Sequence, residues 1–206
     1  KDMFEKAIIV YKKYYGDWHP ETAWIYVYLG SVYRHYGDYD KSIKLLQNGF
    51  DIYESHYTKK HIETARASAY LAIVYKDLGN YQEAKTLLEE ALKYYTAFYG
   101  NKHTKTAWLS VNLACVYRNL GNSDQAIKLL EVAAKIYEQN TPKNCLENAW
   151  TLGHIGATYI DLDNLEKAEH ALNKSLEMYA KLVDKDNMAL GWIYYHLGRL
   201  YIKQGQ

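Results

Sequence analysis

The chain has 206 residues, of which 49% are apolar, so it is long enough and apolar enough to bury a core. Its formal net charge of +1 argues against nucleic acid or another polyanion as the main partner. It has no apolar run of the roughly 18–20 residues that cross a bilayer, and two cysteines do not favour a disulfide framework, so we expect no membrane insertion and a cytoplasmic location.

The predicted elements are helices of two alternating types, since only two prolines interrupt the chain. A lone second-type helix is predicted at about 2–15. A first-type helix at about 21–36 and a second-type helix at about 40–56 follow, and this pair recurs every 42 residues. A lone first-type helix at about 188–203 completes a set of about ten helices.

A short motif recurs without insertion or deletion and sets the repeat length. Its five copies are His19–Trp24, His61–Arg66, His103–Trp108, Cys145–Trp150 and Asn187–Trp192. We therefore predict one solenoid over 1–206. It has partial repeats at 1–16 and 185–206 and full repeats at 17–58, 59–100, 101–142 and 143–184.

Two further sets of equivalent positions predict how the helices pack and end. Small residues are expected to let two helix backbones approach closely, at Gly30, Ala72, Ala114, Gly156 and Gly198. Glycines are expected to end the first-type helices with positive φ, at Gly37, Gly79, Gly121 and Gly205. Asp163 takes this position in the fourth repeat, and Asp38 is a predicted cap of the helix that follows.

These positions resemble the signature of the tetratricopeptide repeat, through Leu29-Gly30, Tyr33, Gly37, Tyr39, Ser42 and Gly49. The length of 42 residues and the Tyr-Gly endings at Tyr15-Gly16 and Tyr99-Gly100 are similar to the kinesin light chain subtype. The resemblance implies an all-α fold, a right-handed α-solenoid of stacked antiparallel helix pairs that forms a superhelix. The first-type helices would line its concave groove.

The resemblance also implies which residues face that groove. The candidate peptide-binding residues are Trp24, Tyr28, Arg34, Arg66, Tyr70, Lys76, Trp108, Asn112, Arg118, Trp150, His154 and Trp192. Tryptophan and arginine dominate interaction hot spots, which favours a ligand-facing role. Two alternatives stay open. The tryptophans can instead pack against a neighbouring helix, and the cations Arg34, Lys76 and Arg118 can instead offset the dipoles of the helices they end.

The predicted function is protein–protein interaction, as an adaptor or scaffold that binds an extended peptide with acidic residues and bulky apolar anchors. Val27 and Ser31 stand where chaperone cofactors of this fold carry part of a carboxylate clamp, so binding of chaperone tails is not expected. One alternative is a sensory or regulatory segment of a larger signalling ATPase or peptide receptor, since the chain opens without Met and ends within a repeat. The other alternative is self-association.

We expect no catalytic activity, cofactor or metal. The sequence lacks a glycine-rich phosphate loop, a His-Glu-x-x-His motif and a Gly-x-Ser-x-Gly elbow. One set of equivalent positions holds potential zinc ligands, at His19, His61, His103 and Cys145. Residues a full repeat apart are too distant for one zinc ion, so we predict that they pack loops against helices. His154 and His196 are also one repeat apart, and we expect them to be polar groups of the groove and not metal ligands.

Overall fold

The computed structural model describes residues 1–142, 145–184 and 187–205. Over these residues the chain is all-α, as predicted, with ten helices and no strand. The helices are α1 (Asp2–Tyr15), α2 (Pro20–His35), α3 (Tyr39–Tyr57), α4 (Ile62–Asp77), α5 (Tyr81–Tyr99), α6 (Thr104–Asn119), α7 (Ser123–Asn140), α8 (Leu146–Asp161), α9 (Leu165–Leu182) and α10 (Met188–Gln204). The predicted bounds are confirmed to within about two residues.

The chain divides into two compact units, unit 1 at Lys1–Phe98 and unit 2 at Tyr99–Gln206. In unit 1, α2 packs against α1 and α3, α3 packs against α4, and α2 also touches α4. In unit 2, each helix from α6 to α10 packs against the next one, and the first-type helix α8 touches both α6 and α10. Both units therefore show helix pairs that stack on one another.

Gly30 and Gly156 allow the close approach that the sequence predicted, whereas the prediction is wrong for Gly198, since no described residue lies within 4 Å of its Cβ position. A Cβ atom added to Gly30 would lie 2.7 Å from Cγ of Leu46 on α3. A Cβ atom added to Gly156 would lie 2.5 Å from Cγ of Leu172 on α9. Both leucines are fully buried. The small positions thus determine how near the paired helices lie in each unit.

The predicted positive φ angles at the ends of the first-type helices are confirmed. Gly37, Gly79, Gly121 and Gly205 have φ between 76° and 82°. Asp163, the one residue with a side chain in this set, has φ 58°. Only glycine adopts this left-handed region without steric cost, so Asp163 keeps a mildly strained backbone.

Candidate functional site

Each first-type helix begins at a side chain that caps it. The Nδ1 atoms of His19, His61 and His103 accept hydrogen bonds from backbone N–H groups two residues later, at 3.0–3.2 Å. Cys145 Sγ accepts a hydrogen bond from the Asn148 N–H at 3.4 Å. Asn187 Oδ1 accepts one from the Ala189 N–H at 2.9 Å. These residues therefore satisfy donors that the first helical turn leaves open.

A tyrosine ring supports each capping histidine from the preceding helix. The ring centroids are 4.9 Å apart for Tyr15 and His19, 4.2 Å apart for Tyr57 and His61, and 4.8 Å apart for Tyr99 and His103. In the fourth repeat Thr141 replaces the tyrosine, and its hydroxyl lies 3.1 Å from Cys145 Sγ. The histidine positions that suggested metal chemistry thus have a structural role at these helix ends.

In unit 1 the predicted groove residues of α2 and α4 form an aromatic and cationic group. The rings of Trp24 and Tyr28 have centroids 4.6 Å apart, and Phe4 of α1 stacks on Tyr28 at 6.2 Å. The Arg66 guanidinium lies 5.8 Å from the centroid of the Tyr28 ring and forms an ion pair with Glu63. Trp24 remains 37% exposed, so a partner can reach its indole.

Tyr70 and Lys76, the other predicted groove residues of α4, are half-buried. Burial raises the pKa of the Tyr70 hydroxyl. At the last turns of α2 and α4, Arg34 pairs with Asp77 at 2.5 Å, and Lys76 Nζ lies 3.8 Å from the same carboxylate. The predicted line of cations in unit 1 is therefore held together by an aspartate that the sequence reading did not select.

In unit 2 the predicted groove residues of α8 and α10 form a row of alternating indole and imidazole rings. Trp150 meets His154 edge to face, with centroids 5.0 Å apart. His154 lies 4.7 Å from Trp192, and Trp192 lies 4.1 Å from His196. Both tryptophans are half-buried and also pack against the core of the unit. We call Trp150, His154, Trp192 and His196 the ring row.

An ion cluster lies beside the ring row and joins three first-type helices. Asp161 of α8 accepts from Arg199 Nη2 of α10 at 3.0 Å and lies 3.7 Å from Arg118 Nε of α6. Two guanidinium groups thus share one carboxylate. Nη1 of Arg118 is buried and has no hydrogen-bond partner among the described residues. We call Arg118, Asp161 and Arg199 the aspartate cluster.

His196 connects the ring row to the aspartate cluster. Its imidazole is 3% exposed, and its Nδ1 atom lies 3.4 Å from Arg199 Nη1. Burial, together with the nearby charges of Arg118 and Arg199, lowers the pKa of this imidazole to about 4, although Asp161 acts in the opposite direction. The imidazole is therefore neutral near pH 7.

The remaining predicted residues of unit 2 lie on α6. Trp108 is half-buried. Asn112 is 2% exposed, and its amide donates to the Trp108 carbonyl one turn earlier at 3.0 Å. Its side chain is thus bonded to the backbone of its own helix.

The predicted groove residues do not include Asp77, Asp161 or Arg199. A signal for the two aspartates was present, because Arg34 and Asp77 recur as Arg118 and Asp161 after 84 residues, which is two repeats. Each pair joins the last turns of successive first-type helices. A search for charge pairs that recur together at the repeat length would have found them.

Fold and surface together define a repeat protein of stacked helix pairs whose first-type helices present aromatic rings beside shared ion pairs. The sequence profile of the tetratricopeptide repeat matches residues 1–55, 63–139 and 147–206. The chain belongs to the tetratricopeptide repeat family. Such repeats generally mediate protein–protein interactions and typically serve as scaffolds without catalytic activity. None of the curated proteins matches the sequence.

Solved structures confirm the fold, and kinesin light chain-like repeat proteins are among those that match. BtubC (BKLC) from P. vanneervenii matches with a TM-score of 0.74 and 19% identity, covering 90% of this chain and 75% of that one. A Podosopora anserina protein named as a kinesin light chain, with nearly identical TPR-like repeats, matches with a TM-score of 0.73 and 21% identity over 91% and 89% of the two chains.

A Rap protein complexed with Competence and Sporulation Factor also has this fold. It matches with a TM-score of 0.67 and 20% identity, and the matched part is 78% of this chain and 43% of the Rap protein. No helix in the described part of the chain is long and apolar enough to span a membrane.

Proposed function

We propose that the chain is a protein-interaction module, an adaptor or scaffold of the cytoplasm, which acts by binding and not by catalysis. Its main contact surface would lie on α6, α8 and α10 of unit 2. The observation that supports this proposal is the position of the ring row directly beside the aspartate cluster. A partner segment lying across these helices would meet apolar rings and cations side by side.

The ring row favours a bulky apolar anchor. Half-buried indoles offer a large rigid surface, and covering that surface removes apolar area from water without ordering a flexible side chain. Their packing against the core holds the rings in place before a partner arrives, which reduces the entropy lost on binding.

The aspartate cluster favours a carboxylate. Arg118 and Arg199 carry two positive charges against the single negative charge of Asp161. One cation is therefore in excess, and a guanidinium forms strong paired hydrogen bonds with a carboxylate. A peptide that combines a large apolar residue with an acidic residue would satisfy both features.

The predicted residues of unit 1 would add a second contact region, with its own pattern of charge. Trp24 and Tyr28 would supply the aromatic surface, and Arg34 would supply the charge, beside Arg66, Tyr70 and Lys76. Trp108 and Asn112 of unit 2 would act mainly by holding α6 in position, since both are at least half-buried.

The proposal can be tested by fluorescence polarisation with labelled peptides that combine Asp or Glu with Trp or Leu. For a peptide that binds the wild type, Trp192→Ala and Arg199→Gln should each cost about 1–3 kcal/mol, which is roughly 5- to 150-fold in Kd. The matched control is Lys174→Gln, because Lys174 forms an exposed ion pair with Glu138 on the second-type helices α9 and α7.

Binding should also weaken as salt is raised, because the carboxylate contact is partly exposed. If a peptide binds and neither Trp192→Ala nor Arg199→Gln weakens it more than Lys174→Gln does, the proposed surface is wrong. Circular dichroism and thermal unfolding of each variant separate a lost contact from a lost fold.

Self-association is a second candidate, because α10 exposes large apolar residues. Met188 is 89% exposed, Ile202 is 77% exposed and Tyr194 is 58% exposed. If this face pairs two copies, sedimentation velocity should show a dimer that Ile202→Glu converts to a monomer. A monomer at all accessible concentrations would exclude this candidate.

A further inference from the structure

Unit 1 contains an open cleft of about 420 Å³ at the end where α2 and α4 begin and α3 ends. Its lining residues are Tyr11, Pro20, Glu21, Trp24, Tyr53, Tyr57, Glu63 and Arg66. Four of these are aromatic, and they come from α1, α2 and α3. We call this the unit 1 cleft.

The charges of the unit 1 cleft do not cancel. Glu63 pairs with Arg66, and the Arg66 guanidinium also lies over the ring of Tyr28. Glu21 is exposed and forms no ion pair with any residue that the structure describes. The three charged side chains therefore leave one carboxylate without a counter-charge.

The backbone at this end of the unit does not reverse that sign. The N-termini of α2 and α4 each contribute roughly half a unit of positive charge, which is spread over the first turn and can offset but not exceed one carboxylate charge. His19 and His61 already satisfy one N–H group of each first turn. The Glu21 carboxylate is a full charge localised on one exposed side chain, so a cation in direct contact with it is attracted more strongly than the diffuse charge of the helix ends repels it.

The aromatic side chains of the unit 1 cleft also favour a cation, in addition to the negative charge of Glu21. The face of an aromatic ring carries negative charge and attracts an ammonium or guanidinium group within about 6 Å. Trp24 is 37% exposed and Tyr57 is 40% exposed, so both rings can be reached from solvent. An aromatic enclosure with a spare carboxylate is the arrangement that binds organic cations in water.

The chain itself shows an ammonium on the ring equivalent to Tyr57. Lys105 follows Tyr99 by six residues, as Glu63 follows Tyr57. Lys105 Nζ lies 4.7 Å from the centroid of the Tyr99 ring and donates to its hydroxyl at 3.2 Å. This ring also stacks on His103, as Tyr57 stacks on His61, so the histidine stack leaves room for a cation.

From this geometry we infer that the unit 1 cleft binds the cationic side chain, lysine or arginine, of a partner protein. The cation would lie between Trp24 and Tyr57, and its charge would be balanced by Glu21. This inference does not rest on the proposed acidic and apolar contacts of unit 2, because the two surfaces share no residue. A partner that used both would need a basic residue for unit 1 and an acidic residue for unit 2.

The equivalent positions of unit 2 provide a natural negative comparison. Two repeats, or 84 residues, after Glu21 the equivalent position holds Lys105, and the position equivalent to Tyr57 holds Thr141. The same shift retains Trp24 as Trp108 and Tyr53 as Tyr137. Unit 2 therefore carries its own cation at the position where unit 1 has the unpaired carboxylate.

The test is an NMR titration of ¹⁵N-labelled protein with Nα-acetyl-arginine amide, Nα-acetyl-lysine amide and tetramethylammonium. Nα-acetyl-citrulline amide serves as the neutral control of arginine shape. The indole N–H signal of Trp24, assigned by its loss in Trp24→Phe, should shift and saturate with the cations. It should not do so with the citrulline amide, and the Trp150 and Trp192 signals should stay in place.

The variant Glu21→Lys, which copies Lys105, should abolish the saturable shift, and Glu21→Gln should weaken binding by about fivefold or more. The matched control is Glu147→Gln, the equivalent first-turn glutamate of α8, which should leave the titration unchanged. The inference is overturned if Trp24 shows no saturable shift, if citrulline amide binds as well, or if Glu21→Lys retains binding.

Discussion

At the positions where unit 1 carries Tyr28 and Tyr70, unit 2 carries Asn112, His154 and His196. In unit 1 the Tyr28 ring contacts Phe4 and Trp24 and lies against the Arg66 guanidinium, and Tyr70 is half-buried. In unit 2 the imidazoles alternate with indoles, and one of them contacts the aspartate cluster. The comparison shows that one repeat, with one backbone geometry, supports two surfaces with different charge and different response to pH.

The largest expected effect concerns the loss of stability in acid that His196 of unit 2 causes. His196 is held neutral in the fold, with a pKa of about 4, against 6.5 for a free imidazole, because it is buried beside Arg118 and Arg199. Between about pH 6.5 and pH 4, His196 is therefore protonated in the unfolded chain but not in the folded chain. Stability is complete above about pH 6.5 and falls as the pH is lowered to about 4, by a total near 3 kcal/mol.

Urea unfolding at pH 7 and pH 4.5 measures this loss for the wild type and for His196→Asn. Asparagine is the residue at the equivalent position of α6, Asn112, where its amide donates a hydrogen bond to the Trp108 carbonyl of the same helix. The acid-induced loss of stability should be smaller in the variant by about 2 kcal/mol. Equal losses in both proteins would show that His196 is not the titrating group.

The next effect tests the close helix contacts. Gly156→Ala places a Cβ atom 2.5 Å from Leu172 Cγ and 3.1 Å from the Ala168 carbonyl oxygen, so the helices must separate. We expect a loss of about 1–2 kcal/mol in the free energy of unfolding. Gly198→Ala is the matched control, because no atom of the described residues lies within 4 Å of that Cβ position and alanine favours the helix.

Gly198→Ala should therefore stabilise the protein by up to about 1 kcal/mol. Thermal unfolding of both variants gives the comparison. If Gly156→Ala stabilises as much as Gly198→Ala does, the spacing of α8 and α9 is not set by the small position.

A smaller effect concerns the capping side chains. His103→Ala removes a good acceptor at 3.0 Å and the stack on Tyr99, and should cost about 1 kcal/mol. Cys145→Ala removes a weak sulfur acceptor at 3.4 Å and its contact with the Thr141 hydroxyl, and should cost less than half as much because sulfur forms weak hydrogen bonds. Chemical unfolding of the two variants measures both losses in the free energy of unfolding. Equal losses would contradict the capping role of the histidine.

The smallest effect concerns the strained residue of unit 2. Asp163→Gly should stabilise the protein by about 0.5–1 kcal/mol, because glycine adopts φ 58° without steric cost. The ion pair that the change removes, Lys203–Asp163, is exposed and contributes little. A loss of stability in thermal unfolding would mean that this pair outweighs the backbone strain.

The fold was predictable from the sequence because the repeat supplies the same information several times. Gly37 and Gly79 mark where helices end, and Gly30 marks where they pack, and each position recurs at a constant spacing. Local rules of this kind depend only on neighbours along the chain. The structure therefore agrees with the predicted helices almost residue by residue.

The surface was less predictable because its contacts join different repeats. Arg118 meets Asp161 after 43 residues and Arg199 meets Asp161 after 38, and only the stacking of helices brings them together. The sequence showed Arg118 as one of a line of cations at helix ends, with no carboxylate assigned to it. Which carboxylate it meets depends on the rotation of α8 against α6, and composition does not encode that rotation.

The unit 1 cleft was hidden for the same reason. Glu21 and Glu63 are each an ordinary first-turn glutamate, a residue type that helix N-termini favour. Their meeting with Tyr53 and Tyr57 needs the end of α3 to lie between the starts of α2 and α4. A reading of single helices assigns them no role beyond the dipole.

The most direct test of the central claim is an NMR titration that follows the tryptophan indole signals while an acidic and aromatic peptide is added. The account predicts that Trp150 and Trp192 shift together and saturate, whereas Trp18, whose indole is 58% exposed and donates to Ser55, does not move. Shifts at Trp18 with none at Trp150 and Trp192 would contradict it.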